Sequence, residues 1–359
     1  MNLFSELLLT CTMALTLTLI FIPVLKKIAI RIGLVDKPNY RKIHTKPVPL
    51  VGGIAIVLSA MLALLISSTF ISGVLEVAVT LGAGIVLMFT GLIDDRMDVN
   101  PIYRLIIQLG CAFAIASTGN RITSFYGIFG IHEISIIWQY FFTLIIVTGV
   151  VNAFNLMDGI DGLAGGFGIV GFSILSILSF ILSDYVYLIL FVALIGATLG
   201  FLRFNLSKDK IFLGDGGALF MGFVLVVSGI NIIEKSNALV TSNQPMILIV
   251  VIGIFLLPVL DSLRVYFSRI MNGHSPFKAD KNHIHHLILL LDISHKQTSS
   301  LILSLALLFL VLFFILINFF SITTVLVLGV LTFFWFAIVL NLNKKVQEWS
   351  VKIKNIEKD

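Results

Sequence analysis

The stretch from Asn152 to Gly166 holds the densest chemistry in the chain. Asn152, Asn155, Asp158 and Asp161 recur every three residues, with Gly159, Gly162, Gly165 and Gly166 among and after them. Carboxylates and amides are oxygen donors of the kind hard divalent cations take. The glycines let the backbone come close to a ligand. On one helical turn Asp158 and Asp161 would share a face, with Asn152 and Asn155 a turn or two earlier. A helix-breaking turn with polar caps is the plainer reading, but two aspartates and two asparagines exceed what one cap needs. Both flanks are apolar enough to cross a bilayer. Ionisable groups at such a place are costly and mark function, and broken backbone survives there only inside protein or beside a wet cavity.

Four further clusters could join it. Asp94, Asp95 and Asp98 fall within five residues; they repel one another unless a cation sits among them, and oxygen ligands suit Mg²⁺ with substrate phosphates. An ordinary acidic loop is the alternative. Gly214-Asp215-Gly216-Gly217 opens an apolar segment. Its backbone N–H groups would suit a phosphate, and the Asp215 carboxylate would suit that phosphate's metal; a plain capped turn reads equally well. His283, His285 and His286 sit in the loop 268–298. Without a cysteine or an HExxH pattern zinc is a poor fit, and the imidazoles could contact a pyrophosphate or a uracil, or merely face solvent. A short apolar helix lying along the membrane is expected after His286. Finally, Arg41, Lys42 and His44 precede Pro47, Pro49, Gly52 and Gly53. A rigid, positive lip there could receive a lipid phosphate, or the bases could simply mark topology.

The elements that must position these groups are membrane helices. The 359 residues are 58% hydrophobic and 12% charged, with a mean hydropathy of +1.08, whereas soluble domains are about 45–50% apolar and about 25% charged. The net charge of +5 lies in loops and is no nucleic-acid signal. Cys11 and Cys111 fall in apolar spans and form no disulfide framework. No basic stretch precedes the first apolar run, which reads as a retained helix. At about 20 apolar residues per crossing, eleven helices are predicted, near 3–25, 50–71, 74–93, 101–119, 136–156, 160–182, 184–202, 216–233, 245–267, 299–318 and 321–341. They form one integral membrane domain over 1–341, followed by a lysine-rich tail over 342–359. Residues 119–135 could form a small hairpin.

Eleven crossings divide the loops between two sides. All lysines and arginines but Arg121 and Lys235 then fall on the side reached after the first helix. The positive-inside rule makes that side cytoplasmic, with the N-terminus periplasmic and the C-terminus cytoplasmic. The five polar clusters share the cytoplasmic face. Metal-assisted phosphate chemistry on a lipid is the reading that unites them. A secondary transporter would also have broken helices and intramembrane acids, but near the bilayer midplane.

From Lys37 to His286 the chain resembles the bacterial polyprenyl-phosphate N-acetylhexosamine-1-phosphate transferases. The resemblance rests on four ordered motifs: Asp94 to Asp98, Asn152 to Leu163, Gly214 to Gly217, and His283 to His286. Ser275-Pro276-Phe277 and the Asn152 to Asn155 run are more similar to the UDP-GlcNAc branch than to the muramyl-pentapeptide branch. Ala218 stands where relatives often have serine. The resemblance implies a Mg²⁺-dependent (or Mn²⁺-dependent) enzyme of the bacterial inner membrane. It would join undecaprenyl phosphate and UDP-GlcNAc into undecaprenyl-diphosphate-GlcNAc and UMP, and so begin O-antigen or similar envelope polysaccharide synthesis. Asp215 would hold the metal, with Asn155 a second ligand. Asp94 and Asp95 would orient or deprotonate the lipid phosphate, which Lys42 and His44 would help hold. Asp158 and Asp161 would shape the nucleotide side, with Asn152 beside them, and His283, His285 and His286 would contact the diphosphate or sugar. Donors carrying FucNAc, QuiNAc or GalNAc fit the same motifs, and a homodimer is compatible with the resemblance.

Overall fold

The computed structural model describes residues 2–36, 47–97, 99–238, 244–275 and 282–356. The chain is an all-α polytopic membrane protein. Its helices are α1 (Leu3–Ile32), α2 (Gly52–Leu64), α3 (Ser68–Met97), α4 (Pro101–Ser117), α5 (Ile136–Met157), α6 (Leu163–Ile181), α7 (Tyr185–Asn205), α8 (Gly214–Ala238), α9 (Gln244–Met271), α10 (Ile284–Leu289), α11 (His295–Leu316) and α12 (Ile322–Ile356). Each of the eleven predicted segments corresponds to a helix. Among the described residues nine helices are long and apolar enough to cross a membrane; α2 and α4 are apolar but shorter. The 13 residues of α2 reach only about 20 Å, against a hydrocarbon core of about 30 Å.

The predicted span 50–71 ends early, at Leu64, for an identifiable reason. Glu6 of α1 is buried and accepts from Ser67 Oγ at 3.0 Å, Ser68 Oγ at 3.0 Å, Thr69 N–H at 3.0 Å and Thr69 Oγ1 at 2.7 Å. An acid from one helix thus caps the start of another, satisfying donors that a helix N-terminus leaves open. Other acids on this face are also paired. Asp184 bonds Lys235 at 2.7 Å, and Glu234 accepts from Thr123 and Tyr126. Residues 119–135 form a small turn with one antiparallel bridge, Ser124 to Glu133. At the other end of the chain, α12 runs on unbroken to Ile356, so no break in secondary structure falls at residue 342.

Helix α8 is the axis. It is apolar all round, and Gly216 to Ile230 are buried without interruption, as expected of a helix enclosed by others. Helices α2, α3, α5, α6 and α9 pack around it. Glycines set how closely they approach. A Cβ on Gly91 of α3 would lie 2.3 Å from the Gly216 nitrogen, and one on Gly53 of α2 would lie 2.3 Å from the Gly217 Cα. Small residues are the usual means of close helix approach in lipid, where apolar burial alone does not drive association.

Backbone pairing ties the same corner together. Strand β1 (Val35–Asp36) pairs antiparallel with β2 (Val48–Pro49). Phe212 N–H donates to Pro49 O at 2.9 Å, Gly52 N–H to Phe212 O at 2.9 Å, and Gly53 N–H to Leu213 O at 2.8 Å. The part of the predicted lip from Pro47 to Gly53 therefore lies against the segment that opens α8. The lip's bases Lys42 and His44 fall outside the described residues, as do Asp98, Pro276 and Phe277.

The glycine contacts yield a first expectation. Gly91→Ala should destabilise by about 1–3 kcal/mol, because the new methyl meets backbone that cannot rotate away. Gly82 lies on the same helix with nothing within 4 Å of its Cβ position, so Gly82→Ala should be neutral or stabilise by up to about 1 kcal/mol. Thermal unfolding of both variants in one detergent would check the contrast.

Candidate active site

Four carboxylates meet where α3, α5 and α8 end or begin. Asp94 and Asp95 lie in the last turns of α3, Asp158 follows α5, and Asp215 is in the first turn of α8. Arg104 of α4 reaches among them. Its Nη1 bonds Asp94 Oδ2 and lies 3.1 Å from Asp215 Oδ2. Asn155 Nδ2 donates to Asp215 Oδ1 at 3.1 Å, and Asp94 Oδ1 accepts Val99 N–H at 2.8 Å.

The glycine-opened N-terminus of α8 does not stand open for a phosphate, as the sequence suggested. Asp95 Oδ1 accepts the Asp215 N–H at 3.1 Å, and the Asp158 carboxylate lies close to the Gly214 N–H. A carboxylate from α3 occupies one donor first, and one from the end of α5 lies beside the next. Gly214 permits this, with φ of +78° and no side chain; a Cβ there would lie 2.8 Å from Asp95 Oδ2. That Oδ2 atom is buried and has no hydrogen-bond partner among the described residues. Burial first, then the neighbouring Asp215 and Asp95, push the Asp158 carboxyl well above the usual carboxylate range.

These features test the fit of a divalent cation. Among the described residues, Arg104 is the sole cation bonded to any of the four acids, so negative charge is in excess. The donors are all oxygens or an amide, and one buried carboxylate oxygen lacks a partner. No set of three or more carboxylate, His or Cys side chains among the described residues could hold a metal by itself. The arrangement fits Mg²⁺, which is commonly held by one or two carboxylates plus substrate phosphates.

Asp158 and Asp161 do not share a helical face. The backbone between α5 and α6 is a turn, and Gly162 at φ +84° restarts the helix. Asp158 points to the acid cluster, whereas Asp161 bonds Lys210 Nζ at 2.8 Å. Its carbonyl accepts from Ser299 Oγ at 2.7 Å. The turn is held from α7, where Asn205 accepts Gly162 N–H at 2.7 Å and donates to Ile211 O at 2.9 Å. Asn152 lies a turn further into the bundle, donating to Gln108 Oε1 at 2.6 Å and to Thr148 O at 2.8 Å.

The histidines approach from the opposite side of that turn. Helix α10 is anchored in the bundle, with Leu287 and Ile288 fully buried. His285 packs on Gly159, where a Cβ would be 2.7 Å from its Nε2. Its ring is parallel to that of His283, with centroids 5.8 Å apart, and lies 4.2 Å from that of His286. Burial, then the neighbouring His286 and His283, lower its pKa from 6.5 to about 3. His283 Nδ1 lies 2.9 Å from Oδ2 of Asp261, a buried acid of α9. Asp261 also accepts Ile284 N–H at 3.1 Å and Arg264 Nη2 at 2.8 Å.

Sequence reading passed over Arg104, Gln108, Asn205, Lys210, Asp261 and Arg264. For Asp261 the signal was present, since it is an acid inside an apolar span. Arg104 and Gln108 likewise interrupt an apolar helix. Lys210 and Asn205 carry no comparable signal, because polar residues are ordinary where a helix ends.

Comparison with known proteins bears directly on this site. A family model for glycosyl transferase family 4 matches residues 77–233, which contain all four acids. A probable undecaprenyl-phosphate N-acetylglucosaminyl 1-phosphate transferase of Bacillus subtilis (strain 168) is 33% identical over 281 residues, 78% of this chain and 76% of the relative. The chain belongs to glycosyl transferase family 4. Undecaprenyl-phosphate alpha-N-acetylglucosaminyl 1-phosphate transferases of Salmonella typhi and Escherichia coli (strain K12) are 32% and 31% identical over 291 residues, 79% of this chain and 77% of each relative. The identity spans most of the bundle, so this family member shares its frame with them.

The lowered pKa of His285 has a measurable consequence. An unfolded ring gains a proton below about pH 6.5 that the folded ring refuses down to about pH 3. The stability His285 contributes is therefore complete above pH 6.5 and is lost as the pH falls through that window. Thermal midpoints in detergent should drop between pH 7.5 and pH 5 in the wild type and drop less in His285→Asn.

Proposed function

We propose that the protein transfers GlcNAc-1-phosphate from UDP-GlcNAc to undecaprenyl phosphate, giving undecaprenyl-diphosphate-GlcNAc and UMP. The observation that carries this reading is the convergence of Asp94, Asp95, Asp158 and Asp215 around Arg104 and Asn155 at one end of the bundle. The relatives' names supply the substrates. A lipid-linked acceptor keeps its chain in the bilayer and its phosphate at the membrane face, and acids at the ends of membrane helices would meet it there.

Each group has a role that its surroundings support. Asp215 and Asn155 would hold Mg²⁺, which when bound neutralises charge on the phosphate oxygens. Arg104 spans Asp94 and Asp215 and fixes their separation. Asp94 and Asp95 would orient the lipid phosphate or take its proton. An oxygen of that phosphate attacks the β-phosphorus of UDP-GlcNAc, the bond from that phosphorus to the UMP oxygen breaks, and UMP leaves. Direct attack is favoured over an acyl-phosphate on an aspartate, because a phosphate monoester is already an anionic nucleophile. The excess of bases on this side supports a cytoplasmic site in a bacterial plasma membrane, and the product would begin an envelope polysaccharide such as O-antigen.

Purified protein with undecaprenyl phosphate and Mg²⁺ should release UMP from UDP-GlcNAc. Chelation should stop the release, and Asp215→Asn should lower the rate by about 100-fold or more, the scale of several kcal/mol of lost charge stabilisation. Enzyme and UDP-GlcNAc without lipid should give no UMP; a stoichiometric burst would establish the covalent route instead. If UMP appears only with another UDP-N-acetylhexosamine, the donor assignment is wrong and the reaction class stands.

A further inference from the structure

Asp261 is an acid in the middle of an apolar helix, 2% exposed, and lies outside the Asp215 cluster. Burying a carboxylate is costly unless it is paired and bonded. Here its two oxygens meet three partners: His283 Nδ1 at 2.9 Å, the Ile284 N–H at 3.1 and 3.2 Å, and Arg264 Nη2 at 2.8 Å. Arg264 is itself braced, donating to Asn282 O at 2.5 Å. One carboxylate therefore joins α9 to the backbone on both sides of His283 and to its ring.

The ring bond has a chemical consequence. An ionised carboxylate can only accept, so the proton between Asp261 and His283 belongs to Nδ1. The other ring nitrogen, Nε2, is buried and has no partner among the described residues, and His283 is only 5% exposed. Buried polar atoms are nearly always bonded, so an orphan here points to a partner that arrives from outside the chain. His283 stacks parallel to His285, which rests on Gly159 beside Asp158. The orphan nitrogen therefore belongs to the group of side chains that flanks the acid cluster. Closing the start of α10 would have needed only the bond to the Ile284 N–H. The bond to the imidazole goes beyond that need.

We propose that Asp261 is a positioning residue that fixes the tautomer and orientation of His283, leaving Nε2 free to meet the sugar-nucleotide. The proposal rests on the transferase reading above for the identity of that substrate. A carboxylate partner of this kind sets which nitrogen of a histidine is presented and holds the ring in place.

The test uses full-length protein in nanodiscs with ¹⁵N-labelled histidine. The His283 resonance, assigned by its loss in His283→Gln, should show a protonated Nδ1. In Asp261→Asn the new amide can donate to Nδ1, so the proton should move to Nε2. The same variant should lose about 10- to 100-fold in kcat/KM for UDP-GlcNAc, the range when a functional histidine loses its carboxylate partner. Because Asp261 acts through His283, the double variant Asp261→Asn/His283→Gln should be no slower than His283→Gln alone. A neutral wild-type ring carrying its proton on Nε2 would overturn the proposal. So would an unchanged kcat/KM in Asp261→Asn, or multiplicative losses in the double variant, which would mark a purely structural role. If Asp261→Asn fails to fold, the wild-type nitrogen spectrum decides by itself. Wild-type protein inactive toward every UDP-sugar would defeat the transferase reading, while the nitrogen spectrum would still judge the Asp261–His283 pair.

Discussion

The site depends on bare backbone meeting bare backbone where α8 crosses α2 and α3. Gly91 faces Asp215 and Gly216, and Gly53 faces Gly217, at separations no side chain would allow. That contact puts the first turn of α8 beside the last turns of α3, so Asp215 lies among Asp94 and Asp95. It also brings the α8 N-terminus within reach of Asp95 Oδ1. A membrane bundle has no water to expel between its helices, so close packing must supply what burial supplies in a soluble core. Here the same packing that holds the frame also sets the spacing of the acids.

Electrostatics at this corner is left unbalanced by the chain itself. Arg104 compensates Asp94 and Asp215, but among the described residues no cationic side chain is bonded to Asp95 or Asp158, and Asp95 accepts a backbone N–H. On the opposite face the pattern differs: Glu6, Asp184 and Glu234 each have side-chain partners. Asp161 and Asp261, on the same side as the site, are likewise paired, with Lys210 and Arg264, so Asp95 and Asp158 stand apart from the paired acids of both faces. A satisfied acid closes a helix end or joins two helices. An unsatisfied group invites a cation and the phosphates that come with it.

The histidine segment is built on a separate support. Asp261 and Arg264 of α9 hold its beginning, and apolar residues of α10 anchor it in the bundle. His285 is buried against the Gly159 turn, so the segment and the acid cluster meet across that turn. Rigid helices therefore carry both halves of the site, a general requirement where reacting groups must be held in a fixed relation.

Composition and apolar patterning in the sequence were enough to determine a helical membrane protein and the positions of eleven apolar helices, and its ordered motifs carried the resemblance to a family. Those properties are local: twenty apolar residues seek lipid whatever their neighbours, and loop bases read topology one segment at a time. Only the tertiary structure decided the partners. Asp158 and Asp161, three residues apart, part company because the chain turns between them. The α8 N-terminus is capped by Asp95, 120 residues away. The partners of Asp261, Arg104 and Lys210 became visible only in the fold. A hydrogen bond between distant residues depends on how helices cross, and crossing is fixed by side-chain volume at contacts that no single segment encodes.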